Sequence, residues 1–211
     1  MIFRAAAVVA LLLLFAVPAL GLTQDERLVD AARNGKTDIL RAQLGRGVNP
    51  NAKDKEGVPA LMRATVNGRQ EAVKALISAK ADVNAKSSDG STALMGAAVN
   101  GQPEIARMLI AAGAQVDART PEGETALTYA AATGKTQVMK LLVAARADVN
   151  AANGTGLTPL IAAVLGNSAE AVRLLLDAGA DKGKKDRAGK TAADYARQGK
   201  RGAIAQMLGA K

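Results

Sequence analysis

Gly90-Ser91-Thr92-Ala93-Leu94-Met95, followed two dozen residues later by Ala114-Gln115-Val116-Asp117-Ala118, decides the fold, because both phrases recur along the chain at one interval. Gly57, Gly90, Gly123, Gly156 and Gly189 stand 33 residues apart without a slip. The first phrase returns as Gly123-Glu124-Thr125-Ala126-Leu127-Thr128, Gly156-Leu157-Thr158-Pro159-Leu160-Ile161 and Gly189-Lys190-Thr191-Ala192-Ala193-Asp194, and in worn form from Gly57 to Met62. The second returns from Val48 to Ala52, Ala81 to Ala85, Ala147 to Ala151 and, decayed, from Ala180 to Lys184. A fixed period of this length marks a solenoid, in which each unit buries its apolar face only by stacking on its neighbours.

Within one unit, Leu94, Ala97 and Ala98 form a small apolar face on a first helix, and Ile105, Met108, Leu109 and Ile110 form the face of a second. Between them a column of Gly35, Gly68, Gly101 and Gly134, with Asn167 in the same place, reads as a left-handed helix stop. Acid precedes base by three residues at Asp38 and Arg41, Glu71 and Lys74, Glu104 and Arg107, and Glu170 and Arg173. Such spacing predicts surface pairs worth about 0.2–0.5 kcal/mol each, not acid/base chemistry.

These two phrases together resemble the ankyrin repeat. The resemblance spans nearly all of residues 24–211 and implies an all-α solenoid of stacked helix-turn-helix units with β-hairpin fingers. The reading expects about six repeats, 24–53, 54–86, 87–119, 120–152, 153–185 and 186–211, the outer two degenerate and polar as caps. The family's His after the Leu of the first phrase is replaced here by Met62, Met95, Thr128, Ile161 and Asp194. In the family that His helps to tie adjacent loops, so looser loops are expected here.

The start of the chain is of another kind. Arg4 precedes an unbroken apolar stretch from Ala5 to Val17, then Pro18 and small residues, a pattern that resembles a secretory signal peptide over residues 1–21. Ala19 and Gly21 satisfy the small-residue rule for cleavage after Gly21, with cleavage after Ala19 as the neighbouring option. An uncleaved membrane anchor is the alternative, because the apolar run reaches the length of a bilayer span. Lipid anchoring through cysteine is excluded, since the chain has none. Together these features point to an exported bacterial protein, periplasmic or secreted. The sequon at Asn153-Gly154-Thr155 falls on a fingertip and reads as accidental.

Formal charge is +9, unevenly spread. Residues 23–86 carry 12 basic and 8 acidic groups, residues 87–170 carry 5 and 7, and residues 171–211 carry 10 and 4. Lys182, Lys184, Lys185, Arg187 and Lys190 crowd one finger, and Lys53, Lys86, Arg119 and Lys185 share one fingertip column interrupted at Ala152. Such an edge suits an acidic protein or an anionic envelope component; it also suits a merely solvated finger. Nucleic acid is disfavoured, because past the leader only Tyr129 and Tyr195 are aromatic, which leaves no stacking platform.

With no His and no Cys, the chain lacks a Ser-His triad, a thiolate nucleophile and a nitrogen or sulfur metal site. No enzyme activity and no cofactor are expected. The resemblance implies binding of a partner protein by a monomer through fingertips and the concave inner-helix face. Those positions are Lys55, Val58, Val66 and Asn67; Ser88, Ser91, Val99 and Asn100; Pro121, Glu124, Tyr129 and Thr133; Leu157 and Leu165; and Arg187 and Lys190. A basic protein coating an anionic envelope surface, or a secreted effector, is the alternative.

Overall fold

A computed structural model describes residues 22–209. The leader over 1–21, with both cleavage positions, lies outside the described residues.

Helices alternate in two layers. The inner layer holds α1 (Gln24–Asn34), α3 (Ala60–Val66), α5 (Ala93–Asn100), α7 (Ala126–Ala132), α9 (Pro159–Leu165) and α11 (Ala192–Gln198). The outer layer holds α2 (Thr37–Gly45), α4 (Gln70–Ser78), α6 (Pro103–Ala111), α8 (Thr136–Ala144), α10 (Ala169–Asp177) and α12 (Gly202–Met207). Each inner helix packs on the inner helix of the next repeat and on its own outer partner. This is the all-α solenoid that the resemblance implied, with six helix pairs among the described residues.

The phrase that recurs in sequence is the helix start. Thr92, Thr125, Thr158 and Thr191 are extended, and their side chains accept from the backbone N–H groups of Met95, Thr128, Ile161 and Asp194. That satisfies one orphan donor of each first turn. Pro59 takes the same place in α3 and makes no side-chain cap. The helix stop is equally regular: Gly35, Gly68, Gly101 and Gly134 have φ between 65° and 69°, and Asn167 and Lys200 follow at 54° and 52°.

Two columns explain how thin helices stack so closely. Ala31, Ala64, Ala97, Ala130, Ala163 and Ala196 are at most 2% exposed, and their small side chains let neighbouring inner helices approach. Leu28, Leu61, Leu94, Leu127 and Leu160 fill the space beside them, and Leu76, Leu109, Leu142 and Leu175 do the same between layers. Each such leucine contributes about 2–3 kcal/mol of burial.

The fingers differ from the expectation of β-hairpins. Each is closed by an N–H to carbonyl bond, Asp54 to Val58 (3.1 Å), Ser87 to Ser91 (3.0 Å), Thr120 to Glu124 (3.1 Å), Asn153 to Leu157 (3.0 Å) and Asp186 to Lys190 (3.0 Å), around a tighter turn in which Gly57, Gly90, Gly123, Gly156 and Gly189 donate back to the carbonyls of Asp54, Ser87, Thr120, Asn153 and Asp186. Among the described residues β pairing is limited to the single bridge Lys53–Pro59. The chain must reach the helix cap a residue or two after each closing bond, which leaves no length for a ladder.

Outer-helix charges also arrange themselves differently. Of the four expected i,i+3 pairs only Glu104–Arg107 forms (2.5 Å). Arg41 instead reaches Glu71 of the next repeat (3.3 Å) and Glu170 is met by Lys140 of the preceding one (3.6 Å). Exposed pairs of this kind are worth at most about 1 kcal/mol, so the close approach of neighbouring outer helices decides the partner.

The missing His does not leave the loops untied. Asn51, Asn84, Asp117 and Asn150 each accept, through one side-chain oxygen, the backbone N–H of the next repeat at Asp82, Gln115, Asp148 and Asp181, at 2.7, 2.8, 2.9 and 2.8 Å. A second ladder runs beside it: Lys53 Nζ donates to the Lys86 carbonyl (2.9 Å), Lys86 Nζ to that of Arg119 (3.0 Å), and Arg119 to that of Ala152 (2.8 Å). Ala152 has nothing to donate, and there the fingers touch backbone to backbone instead. Gly154 N–H donates to the Glu122 carbonyl (2.6 Å) and Arg187 N–H to that of Thr155 (2.9 Å).

Candidate functional site

The concave surface is built from the exposed ends of the inner helices and the inner flank of the fingers. Val66, Val99 and Leu165 stand in one column there and are 47%, 38% and 44% exposed. Helix periodicity explains why: the Ala and Leu columns of the same helices turn into the stack, and these positions are left facing out.

A groove is sunk into this face between α3, α5 and α7, lined by Met62, Val66, Met95, Gly96, Val99 and Tyr129, with Asp89, Ser91 and Thr92 at its finger side. Its origin is a missing side chain. Arg63, Gly96, Tyr129, Ala162 and Tyr195 occupy one column of the repeat, and in the third repeat that place is glycine. A Cβ on Gly96 would come 3.1 Å from Val66 Cγ2, so the space runs along the Val66 side chain.

The groove is walled unequally. On one side Arg63, which precedes Gly96 in the column but does not line the groove, is held by Asp54 (2.6 Å) and by Glu56 within its own repeat. On the other side the Tyr129 hydroxyl is pushed up in pKa by burial and then by the carboxylates of Glu124, Asp89 and Glu122. Asp89 is held below the usual carboxylate range, first by the Ser87 hydroxyl (2.5 Å) and then by the Ser91 N–H (3.1 Å), against a burial effect of opposite sign. Glu124 accepts from Asn153 through Oε1 (2.5 Å), while its Oε2 is buried without a partner.

Of the residues singled out from sequence, Val66, Val99 and Tyr129 meet in this groove, and Leu165 extends its line. Others are occupied structurally. Asn67 donates to the Arg63 carbonyl (2.8 Å) and Thr133 to that of Tyr129 (2.8 Å), which finishes their helices, while Asn100 donates across to the Val66 carbonyl at the end of α3 (3.4 Å). Ser88 Oγ donates to the Glu56 carbonyl (3.2 Å) and Lys55 pairs with Glu26 (3.2 Å). Lys53, Lys86 and Arg119 form the cation ladder.

At the terminal finger, Lys184 reaches back to the Asn150 carbonyl (3.0 Å), and Lys190 contacts Gln198 (3.2 Å) and lies 5.5 Å from the Tyr195 ring centroid. Lys182, Lys185 and Arg187 are exposed, and none of them enters an ion pair among the described residues. Sequence reading missed Met62, Asp89, Met95, Gly96 and Glu122. The signal for Gly96 was available, because it breaks the column that runs from Arg63 to Tyr129.

Among the described residues no group of three or more His, Cys, Asp or Glu is placed to hold a metal ion, and no helix is long and apolar enough to cross a membrane.

Fold and surface together define a finger-bearing helical solenoid with an exposed inner-helix face. The family model described as ankyrin repeats (3 copies) matches residues 28–120 and 113–186. The crystal structure of EF0377, an ankyrin repeat protein, superposes with a TM-score of 0.81 at 30% sequence identity, covering 89% of this chain and 98% of that one. No curated protein sequence matches. The chain belongs to the ankyrin repeat family, whose arrays are in general non-catalytic scaffolds for protein–protein interaction.

Proposed function

We propose that this protein is an exported, non-catalytic binding module that docks a partner protein across its fingertips and concave inner-helix face. The observation that carries this reading is the column of exposed apolar side chains, Val66, Val99 and Leu165, on a face otherwise free to receive a ligand. Apolar side chains grouped on one surface and rimmed by polar fingers are what a protein contact buries. Lys182, Lys184, Lys185, Arg187 and Lys190 at the terminal finger add attraction and register for an acidic surface of the partner. The array acts as a monomer, without a cofactor.

Export rests on the leader pattern of residues 1–21, with cleavage after Gly21 or Ala19. Amino-terminal sequencing of the protein recovered from the cell envelope or medium tests it: a start at Leu22 or Leu20 supports export with cleavage, and an intact Met1 opposes it. The partner is sought by in-cell cross-linking of the tagged protein, comparing wild type with the terminal-finger cations changed to Glu. A defined protein that survives high salt supports the docking reading.

The second reading is coating of an anionic envelope surface, or a secreted effector with the same basic finger. It is favoured by the exposed and unpaired Lys182, Lys185 and Arg187. Recovery of salt-eluted envelope material alone, with no defined protein, would select it over a specific partner.

A further inference from the structure

We infer that the groove over Gly96 recognises a basic, apolar segment of the partner: one apolar side chain seated against Val66, Val99 and Met95, and an adjacent Lys or Arg whose cation lies among Asp89, Glu122 and the Tyr129 ring and hydroxyl. This rests on the binding-module reading and specifies the chemistry of the partner at that site.

Three observations carry it. The groove is open because glycine replaces the side chain that Arg63 and Tyr129 supply in neighbouring repeats, so an outside side chain fills a place the fold itself usually fills. Its floor and walls are apolar apart from the finger side, where the charged group is the carboxylate of Asp89.

The next finger, Thr120 to Glu124, adds Glu122 and Glu124, while Arg119 at its base is turned to the Gly123 and Ala152 carbonyls. Fingers two and three touch, since a Cβ on Gly90 would meet Pro121 Cδ at 2.5 Å, and Glu122, one repeat on from Asp89 in the same column, adds its charge to the field at Tyr129. The nearest cation in the same column, Arg63, is already paired with Asp54 and Glu56.

The sign of the charge is informative because the protein as a whole is basic. A chain of formal charge +9 attracts anions everywhere by its long-range field. Residues 87–170 are the stretch where acids outnumber bases, 7 to 5, and the groove's finger side, with Gly96 and Tyr129, falls within it. A cation placed there gains two carboxylates and the face of an aromatic ring at the edge of a partly desolvated site. Asp89 keeps its charge, since the Ser87 and Ser91 donors stabilise the anion.

The test uses fluorescence anisotropy of two labelled peptides against the purified protein: one alternating leucine with arginine, the other alternating leucine with glutamate. Net charge alone predicts preference for the glutamate peptide; the groove predicts that the arginine peptide binds tighter by about tenfold. Glu122→Lys and Val99→Ser, both at exposed positions, are each expected to weaken the arginine peptide by about tenfold, Glu122→Gln by less, and Lys185→Glu by under about twofold. Thermal melts matched to wild type show that the variants are folded.

Equal binding of the arginine peptide to wild type and to folded Glu122→Lys overturns the inference. Tighter binding of the glutamate peptide also overturns it and places recognition on the basic finger, leaving the module reading intact. If neither peptide binds while in-cell cross-linking yields a defined partner, the groove assignment alone falls. If neither peptide nor partner is found, both readings fall.

Discussion

Asn84→Ala cuts one rung of the ladder that stands in for the absent His, and its consequences can be worked from the contacts. Asn84 Oδ1 accepts the Gln115 N–H at 2.8 Å and its Nδ2 donates to the Gly113 carbonyl at 3.2 Å, so both bonds join the second repeat to the loop that follows α6 in the third. A net hydrogen bond is worth about 0.5–1.5 kcal/mol, and these lie at the surface, where water replaces part of the loss. The expected cost is therefore about 1–2 kcal/mol, which for an array of this size lowers Tm by roughly 3–6 °C.

Asn84→Asp should recover only part of it, because a carboxylate can accept the Gln115 N–H, as Asp117 accepts that of Asp148 at 2.9 Å one rung on, but cannot donate to the Gly113 carbonyl. Urea unfolding followed by far-ultraviolet circular dichroism is the assay. In a solenoid, stability is close to a sum of units and interfaces, so a weakened rung should also lower the steepness of the transition. A midpoint within error of wild type for Asn84→Ala would refute the claim that this ladder ties the loops.

Four further outcomes follow from particular residues. Lys80 holds a left-handed backbone, φ 60°, where the same column has Gly47, Gly113 and Gly179; Lys80→Gly should stabilise by about 0.5–1 kcal/mol in the same urea assay. Gly166 has an ordinary helical φ of −70°, yet an added Cβ would lie 2.2 Å from the Ala132 carbonyl oxygen. Gly166→Ala should therefore destabilise by about 1–3 kcal/mol, while Gly45→Ala, with open space around it, should not.

Thr65 is fully buried with an unpartnered hydroxyl, and Val164 fills the same column. Thr65→Val should stabilise by about 1–2 kcal/mol and so raise the urea midpoint. For pH, burial works to raise Asp54, but hydrogen bonds from Arg63 and the Val58 N–H outweigh it and hold its pKa down. Asp89 is lowered chiefly by Ser87, Asp186 by Tyr195, and Asp194 by the Thr191 N–H. A depressed carboxylate contributes stability that is present above its unfolded pKa and lost as pH falls through the folded one. With no His in the chain, the urea midpoint should stay level from about pH 5.5 to 8 and fall below about pH 4. A transition near pH 6.5 would contradict this.

The architecture was legible because a solenoid writes its contacts into columns. Thr92, Thr125, Thr158 and Thr191 cap helices wherever they recur, Gly35 to Gly134 stop them, and Asn167 takes the left-handed turn as its column required. The Ala column from Ala31 to Ala196 and the Leu column beside it carry the inner-helix packing. Those features are local or repeat at a fixed offset, so composition and spacing suffice to find them.

What sequence could not decide is which atom meets which across a repeat boundary. Arg41 had an acid three residues away and took Glu71 instead; Lys53, Lys86 and Arg119 looked like an exposed binding edge and turned out to donate to carbonyls one repeat on. The groove is the clearest case, since it exists only where Gly96 of one repeat lies between Val66 of the last and Tyr129 of the next. Periodicity determined the helices, caps and core of this protein, because each depends on a residue's own turn or its copy 33 positions away. The open surface was decided by the stacked structure alone, because side chains from three units must be set side by side before a gap between them has a shape or a charge.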